Sequence, residues 1–381
     1  MSAIPESSRL NVAFIGGSLT QENAVWCPPV VDFIRECFPK KQVVYLNAAV
    51  GATDSTMGAI RIERDILSHF RPDILFVEYA VNDSGFAVEN DYALRKNGVH
   101  IESIIRQARA CNPEVAIVLL YFPRGFLPGS DLHKAWEQGV ALKERIASHY
   151  GIKGINVLDF VMRLYEAEKQ KTPTLSYEDF LLRYYKPYDM VHPTAEGYAV
   201  FRDAILDALR RDPAALLTPV ADVAPYLDQY CDTIGMRYRF VSPSDERLSA
   251  EGSFCLYRAP IRFPDSAPEF IPPYTHAFPR LTDGVMQLED GRDFKLVLST
   301  DADAVGIYGL YSPSGMKVDV YENGRYVTSF SMMENHTRPY LELFLLSPGN
   351  GKKRTVTLVP SKENTGKVFR FGYLIEGYYK K

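Results

Sequence analysis

No stretch of this sequence reaches the roughly 18 uninterrupted apolar residues that a membrane-spanning helix needs, so a membrane protein is not expected. There is no CxxC pair, and the five cysteines, Cys27, Cys37, Cys111, Cys231 and Cys255, are scattered and odd in number. That spacing suits neither a disulfide framework nor a zinc site, and it predicts free, mostly buried thiols in a reducing compartment. Positive charge is not in excess either. Lys and Arg total 43 against 47 Asp and Glu, a net charge of -4, and no RRM, KH or zinc-finger pattern appears, which argues against a nucleic-acid partner. The opening residues, MSAIPESSRLN, carry neither a basic stretch nor an apolar core of the kind that marks a secretory leader. The expected location is therefore the cytoplasm.

What is present is ordinary globular material: 46% hydrophobic and 24% charged residues over 381 positions. A chain of that length exceeds one typical core and favours two domains. In the first half, short Val/Ile/Leu runs alternate with amphipathic stretches. Strands are predicted at LNVAFIG, VVYLNAAVG, DILFVEYAVND, EVAIVLLYF and INVLDF. Helices are predicted over Pro29 to Phe38, STMGAIRIERDILSHF, Tyr92 to Ala110, Leu132 to Tyr150, and after MVHPTAEGY up to Arg211. Such alternation implies crossover units and a mostly parallel sheet covered on both faces. Beyond RRDPAALLTPVADVAP the helical periodicity fades into β-branched and aromatic segments, with Asn-Gly between two alternating runs in VDVYENGRYVTSF, a strong hairpin signal. Two domains follow: residues 1–217, α/β, and residues 218–381, an all-β sandwich or jelly roll.

In an open parallel sheet, ligands bind at the loops leaving the carboxyl ends of the strands. The first three such loops carry Gly17-Ser18, Gly51 and Asn82-Asp83. A serine there needs a base to become a nucleophile at neutral pH. His69, His100, His133 and His149 sit on or beside amphipathic helices, and His276 and His336 in loops of the β region, all in settings where a structural histidine is the default. His192 differs: in YDMVHPTAEGY it follows Asp189 by three residues and precedes Pro193 at the start of a helix, with Thr194 a candidate cap. An Asp so placed can accept the Nδ1 proton and leave Nε2 for a hydroxyl, or it can be a capping aspartate beside a surface histidine. Asn82 reads either as a turn residue or as an oxyanion donor, and Gly51 either as a donor or as a residue tolerating positive φ. A nucleophile elbow of the α/β-hydrolase type would need glycine where Thr20 stands. A phosphate loop would need Gly-Lys-Ser/Thr, and no lysine follows. No HExxH motif or Cys/His cluster completes a metal site around Asp189 and His192.

Taken together, GGSLT, Gly51, AVND and DMVHP resemble, in order and context, the motif blocks of the SGNH (GDSL-type) hydrolase superfamily over about residues 10–211. The resemblance implies a flavodoxin-like three-layer α/β/α catalytic domain. It also implies Ser18 as nucleophile, His192 as base, Asp189 as its orienter, and an oxyanion hole of Ser18, Gly51 and Asn82, with no metal or organic cofactor. Two positions depart from the pattern. Gly17 replaces the aspartate of the GDSL stretch, and Ala80 replaces the glycine usually found two residues before the asparagine. The activity implied is a serine esterase acting through an acyl-serine on short acyl esters, acetyl above all, of a glycan or small sugar derivative. An O-acyltransferase using the same site and an inactive carbohydrate-binding protein are the alternatives. Tyr- and Phe-rich β segments fit sugar stacking or plain core filling, and Arg124, after the fourth strand, fits an anionic substrate or solvent.

Overall fold

A computed structural model describes residues 8–21, 24–85, 91–222, 237–252, 254–258, 284–288, 293–333, 338–346, 351–362 and 368–378. The chain divides into two compact units, Met1–Gly235 and Met236–Lys381.

The first unit is a parallel sheet of β1 (Arg9–Gly16), β2 (Gln42–Asn47), β3 (Ile74–Glu78), β4 (Ala116–Tyr121) and β5 (Lys153–Asn156) in the order β2-β1-β3-β4-β5. Alternation along β1 divides its side chains between two cores. Val12 and Phe14 join one cluster with Val30 and Ile34 of α2 (Cys27–Cys37), Val161 of α7 (Val157–Lys171) and Phe201 and Ile205 of α9 (Ala195–Arg211). Ala13 and Ile15 join the other with Ala59 and Ile62 of α3 (Ser55–Ile62), Ile104 of α5 (Asp91–Cys111) and Val140 and Ile146 of α6 (Asp131–His149). Each fully buried Val, Ile or Phe contributes about 1.5–3 kcal/mol of apolar burial, and together they fix a three-layer α/β/α fold. The strand order reverses between β1 and β3, which opens a crevice above their carboxyl ends.

Several boundaries differ from the sequence expectation for local reasons. INVLDF is strand only through Asn156. The Asn156 side chain accepts the Leu158 N–H at 3.0 Å and starts α7 there. The helix expected over STMGAIRIERDILSHF holds α3, then a π-helical stretch over Glu63–Leu67. Residues 219–222, read from sequence as part of the second domain, lie on the first unit: Val220 N–H donates to Val115 O and Ala221 N–H to Tyr150 O. Among the described residues Cys27, Cys37 and Cys111 are free, but only Cys27 is buried. Cys231, His276 and His336 lie outside the described residues.

The second unit is antiparallel. One sheet runs β13 (Arg325–Ser331), β12 (Lys317–Glu322), β15 (Arg354–Pro360), β10 (Lys295–Thr300), β7 (Leu248–Glu251). The other runs β14 (Arg338–Leu345), β11 (Ala304–Tyr311), β16 (Arg370–Tyr378), β9 (Gly284–Leu288), β8 (Phe254–Arg258), with β6 (Arg237–Val241) also paired to β16. Leu296, Val318 and Leu358 from the first sheet share one apolar cluster with Ile307, Phe371 and Leu374 from the second, so the unit is a sandwich. Asn323 and Gly324 turn the β12–β13 hairpin with φ of 49° and 79°, as the Asn-Gly pair predicts.

Candidate active site

Ser18 follows β1 with only Gly17 between them and opens α1 (Ser18–Gln21). His192 and Asp189 come from the loop between α8 (Tyr177–Tyr184) and α9, far away in sequence. The sheet topology brings them together: Ser18 Oγ and His192 Nε2 are 2.9 Å apart, and His192 Nδ1 and Asp189 Oδ2 are 2.7 Å apart. The Asp189 carboxylate also accepts the backbone N–H groups of Val191 at 2.9 Å and His192 at 3.0 Å. This tight turn puts Met190 in the left-handed region at φ 51°, a strain of about 1–3 kcal/mol that the surroundings must hold. They do so from several sides. Lys186 N–H donates to His192 O, Gly125 N–H to Met190 O, and Thr194 Oγ1 accepts the Gly197 N–H as the cap of α9. Burial pushes the Asp189 carboxyl up, but the two backbone N–H bonds and the His192 ring outweigh it and hold its pKa below the usual value. Asp189 is thus an anion at neutral pH, which orients the imidazole with Nε2 toward the serine.

Gly51 and Asn82 lie against the same serine turn. A methyl group at Gly51 would stand 3.4 Å from Ser18 Cβ, and one at Gly17 would stand 2.9 Å from Asn82 Nδ2. The methyl at Gly51 would meet the serine only at ordinary contact distance and the Gln21 side chain at 3.3 Å, and the left-handed residue of its loop is its neighbour Ala52, at φ 59°. Both expected donors already have partners. Gly51 N–H donates to Gln21 Oε1 at 2.6 Å, and Asn82 Nδ2 donates to Thr53 O at 2.7 Å. Among the described residues only Thr53 O accepts from the Asn82 amide, whereas the Gly51 N–H is free to meet another acceptor only when the Gln21 side chain withdraws. Ala80, the other departure from the family pattern, is buried at the start of α4 (Ala80–Gly85), which carries Asn82.

Three other described histidines, His69, His100 and His133, bond elsewhere. His100 Nδ1 meets Thr56 Oγ1 at 3.2 Å, His133 Nδ1 accepts the Gly129 N–H at 2.9 Å, and His69 meets Ser68. Arg124 is half-buried on the loop that Gly125 ties to Met190; burial lowers its pKa, and the Asp189 charge opposes that.

Sequence reading missed a buried polar layer beneath the serine turn. Glu78, 2% exposed at the end of β3, accepts the Thr20 Oγ1 hydroxyl at 3.1 Å, and the Gly17 N–H favours its charged form. Beside it, Lys143 Nζ of α6 pairs with Asp83 Oδ2 of α4 at 2.9 Å, and Asp83 Oδ1 accepts the Ser55 N–H at 2.9 Å. The available signal was a single charge inside the apolar run DILFVEYAV, since a carboxylate is rarely buried without a partner.

Residues 14–200 match the family model of the GDSL-like Lipase/Acylhydrolase family. This unit belongs to that family. The chain is accordingly a hydrolase of carboxylic esters by class. No curated relative matches it. Among solved structures it is similar to a two-domain esterase (CEX) active on acetylated mannans, also crystallised with mannopentaose, at 19% identity and a TM-score of 0.65, covering 98% of this chain and 92% of that one. An acetyl xylan esterase is similar to it at 18% identity and a TM-score of 0.41, covering 52% of this chain and 100% of that one. The two-domain likeness extends over both units and gives the same architecture, an α/β/α GDSL-type unit followed by an all-β unit.

Proposed function

We propose that this GDSL-type hydrolase is a serine esterase that removes short acyl groups, acetyl above all, from a carbohydrate. The observation that carries the reaction is the continuous chain Asp189–His192–Ser18, with contacts of 2.7 and 2.9 Å. In this reading His192 Nε2 takes the Ser18 proton as Oγ attacks the ester carbonyl, and Asp189 stabilises the imidazolium that forms. The oxyanion is met by the Ser18 N–H and by the second Asn82 amide hydrogen. The Gly51 N–H joins them once the Gln21 carbonyl gives way. His192 then protonates the leaving alkoxide, and water, activated by the same imidazole, releases the acid from the acyl-serine. Each donor of this kind is worth about 2.7–4 kcal/mol in the transition state.

The carbohydrate reading rests on two supports. The two-domain esterase of the same architecture acts on acetylated mannans. In this chain Tyr188, directly before Asp189, is 79% exposed, a flat apolar face at the edge of the site suited to a sugar ring. Hydrolysis of p-nitrophenyl acetate by wild type and Ser18→Ala tests the reaction, with activity expected to vanish in the variant. A panel of acetylated mannan and xylan oligosaccharides, set against p-nitrophenyl esters of rising chain length, tests the substrate. A preference for long acyl chains would replace the sugar reading with a lipase or thioesterase. Acyl transfer to an added sugar, exceeding release of acid, would make the enzyme a transferase.

A further inference from the structure

Glu78 is a buried carboxyl that the acyl-transfer mechanism does not use, yet it lies directly beneath the nucleophile. Its strand pairs with β1 in the register Gly16↔Glu78, so the carboxyl reaches up under the turn that leaves β1. It holds that turn through the Thr20 hydroxyl at 3.1 Å, and the Gly17 N–H, on the other side of Ser18, favours its charged form. Thr20 is 1% exposed, and a methyl group at Gly16 would stand 2.5 Å from Thr20 Oγ1 and 2.7 Å from Glu78 O. The turn therefore has no slack between Thr20 and the β3 backbone that carries Glu78. We infer that Glu78 is a positioning residue for the nucleophile, whose carboxylate form clamps the Gly17–Thr20 turn so that Ser18 Oγ meets His192. This inference rests on the reading of Ser18 as nucleophile.

The chemistry gives the clamp a protonation state. A carboxylate accepts both donors at once, whereas the neutral acid carries a hydroxyl hydrogen of its own and must turn one oxygen from acceptor to donor. The groups facing Glu78 set when this happens. Burial and the Asp83 carboxylate on α4 favour the neutral acid, while the Thr20 and Gly17 donors and the Lys143 ammonium on α6 favour the anion, leaving its pKa at about 7. On the other side of the strand end, Tyr79 Oη accepts from the buried Arg61 guanidinium at 3.0 Å, and that guanidinium also donates to Gly16 O at 3.3 Å.

The test compares wild type, Glu78→Gln, Thr20→Val and Thr20→Ser by kcat and KM for p-nitrophenyl acetate from pH 5 to 9. Glutamine keeps one acceptor and loses the charge. It is expected to lower kcat about 10- to 100-fold, as a nucleophile misplaced by a fraction of an ångström would, with KM within about twofold. The acid limb of kcat should require two deprotonations in wild type and one in Glu78→Gln. Thr20→Val should lower kcat as well, Thr20→Ser should restore it, and combining Thr20→Val with Glu78→Gln should cost little more than either alone. A Glu78→Gln enzyme with wild-type kcat and an unchanged acid limb would overturn the assignment. So would an equal loss in Thr20→Ser and Thr20→Val. Backbone amide exchange over residues 16–21 gives a readout free of turnover: faster exchange in Glu78→Gln and in Thr20→Val than in wild type is expected, and unchanged exchange refutes the clamp. Retention of activity in Ser18→Ala, by contrast, would overturn the nucleophile assignment while leaving the exchange result to decide on Glu78.

Discussion

Replacing Gly17 by alanine should disable the enzyme through Asn82. Position 17 has no positive φ that would bar a side chain, so the effect cannot come from backbone strain. The added methyl would instead stand 2.9 Å from Asn82 Nδ2 and 3.3 Å from its Cγ, roughly half an ångström inside normal carbon–nitrogen contact. Asn82 cannot retreat freely, because the same amide nitrogen is held by Thr53 O at 2.7 Å. Relief of the overlap therefore moves the amide away from where the oxyanion forms. Loss of one such donor costs about 2.7–4 kcal/mol, and a partial displacement should give about a 100-fold fall in kcat with KM little altered. Initial rates on p-nitrophenyl acetate measure this directly. The decisive comparison is a double-mutant cycle: if Gly17→Ala acts through Asn82, it should cost less than about threefold in an Asn82→Ala background, a coupling of about 2 kcal/mol. A Gly17→Ala enzyme within threefold of wild type, or an equal loss in both backgrounds, would refute the reasoning.

Asp189→Asn should leave the fold intact and lower kcat by up to about 10⁴-fold, because the amide no longer holds the imidazole in the required tautomer; a loss under tenfold would show that the imidazole orients without it. Lys143→Met leaves the Asp83 carboxylate buried without its cation, with the original side chains only 3% and 2% exposed, and should lower the unfolding free energy by about 3–5 kcal/mol in denaturant melts. Adding Asp83→Asn should recover part of that loss. Glu78 makes stability depend on pH. Its pKa is raised from 4.5 to about 7 in the folded state, so between those values the native chain binds more protons than the unfolded one, and its contribution falls as pH rises through that window by about 3 kcal/mol at most. The stability of wild type relative to Glu78→Gln should accordingly be greater at pH 4.5 than at pH 8, and a pH-independent difference refutes the shift. Tyr188→Ala should raise KM for acetylated oligosaccharides severalfold without changing p-nitrophenyl acetate hydrolysis; equal effects on both substrates would remove the stacking role.

Much of the first unit was legible because it is periodic. Buried parallel strands read as apolar runs, and the loops that follow them carry the chemistry wherever the sheet's topology has a reversal. Where local signals competed, reading failed. Asn156 ends β5 by capping a helix inside an apolar run. The central strand β11 carries Gly306 and Gly309, which mask it in sequence although a methyl at Gly309 would stand 2.6 Å from Arg370 O. Glycine's low β-propensity hides a demand that only the packed neighbour creates.

The sequence alone determined the residue types of the candidate site and their order, Ser18, Gly51, Asn82, Asp189 and His192, because short motifs are local and survive reading without coordinates. Only the tertiary structure decided that Ser18 and His192, 174 residues apart, stand within hydrogen-bond reach, that Gln21 occupies the Gly51 N–H, and that Glu78 lies under Ser18. Those facts depend on which strands are neighbours and on what is buried between them. Distance in space and the loss of water belong to the packed chain and are written in no single stretch of it.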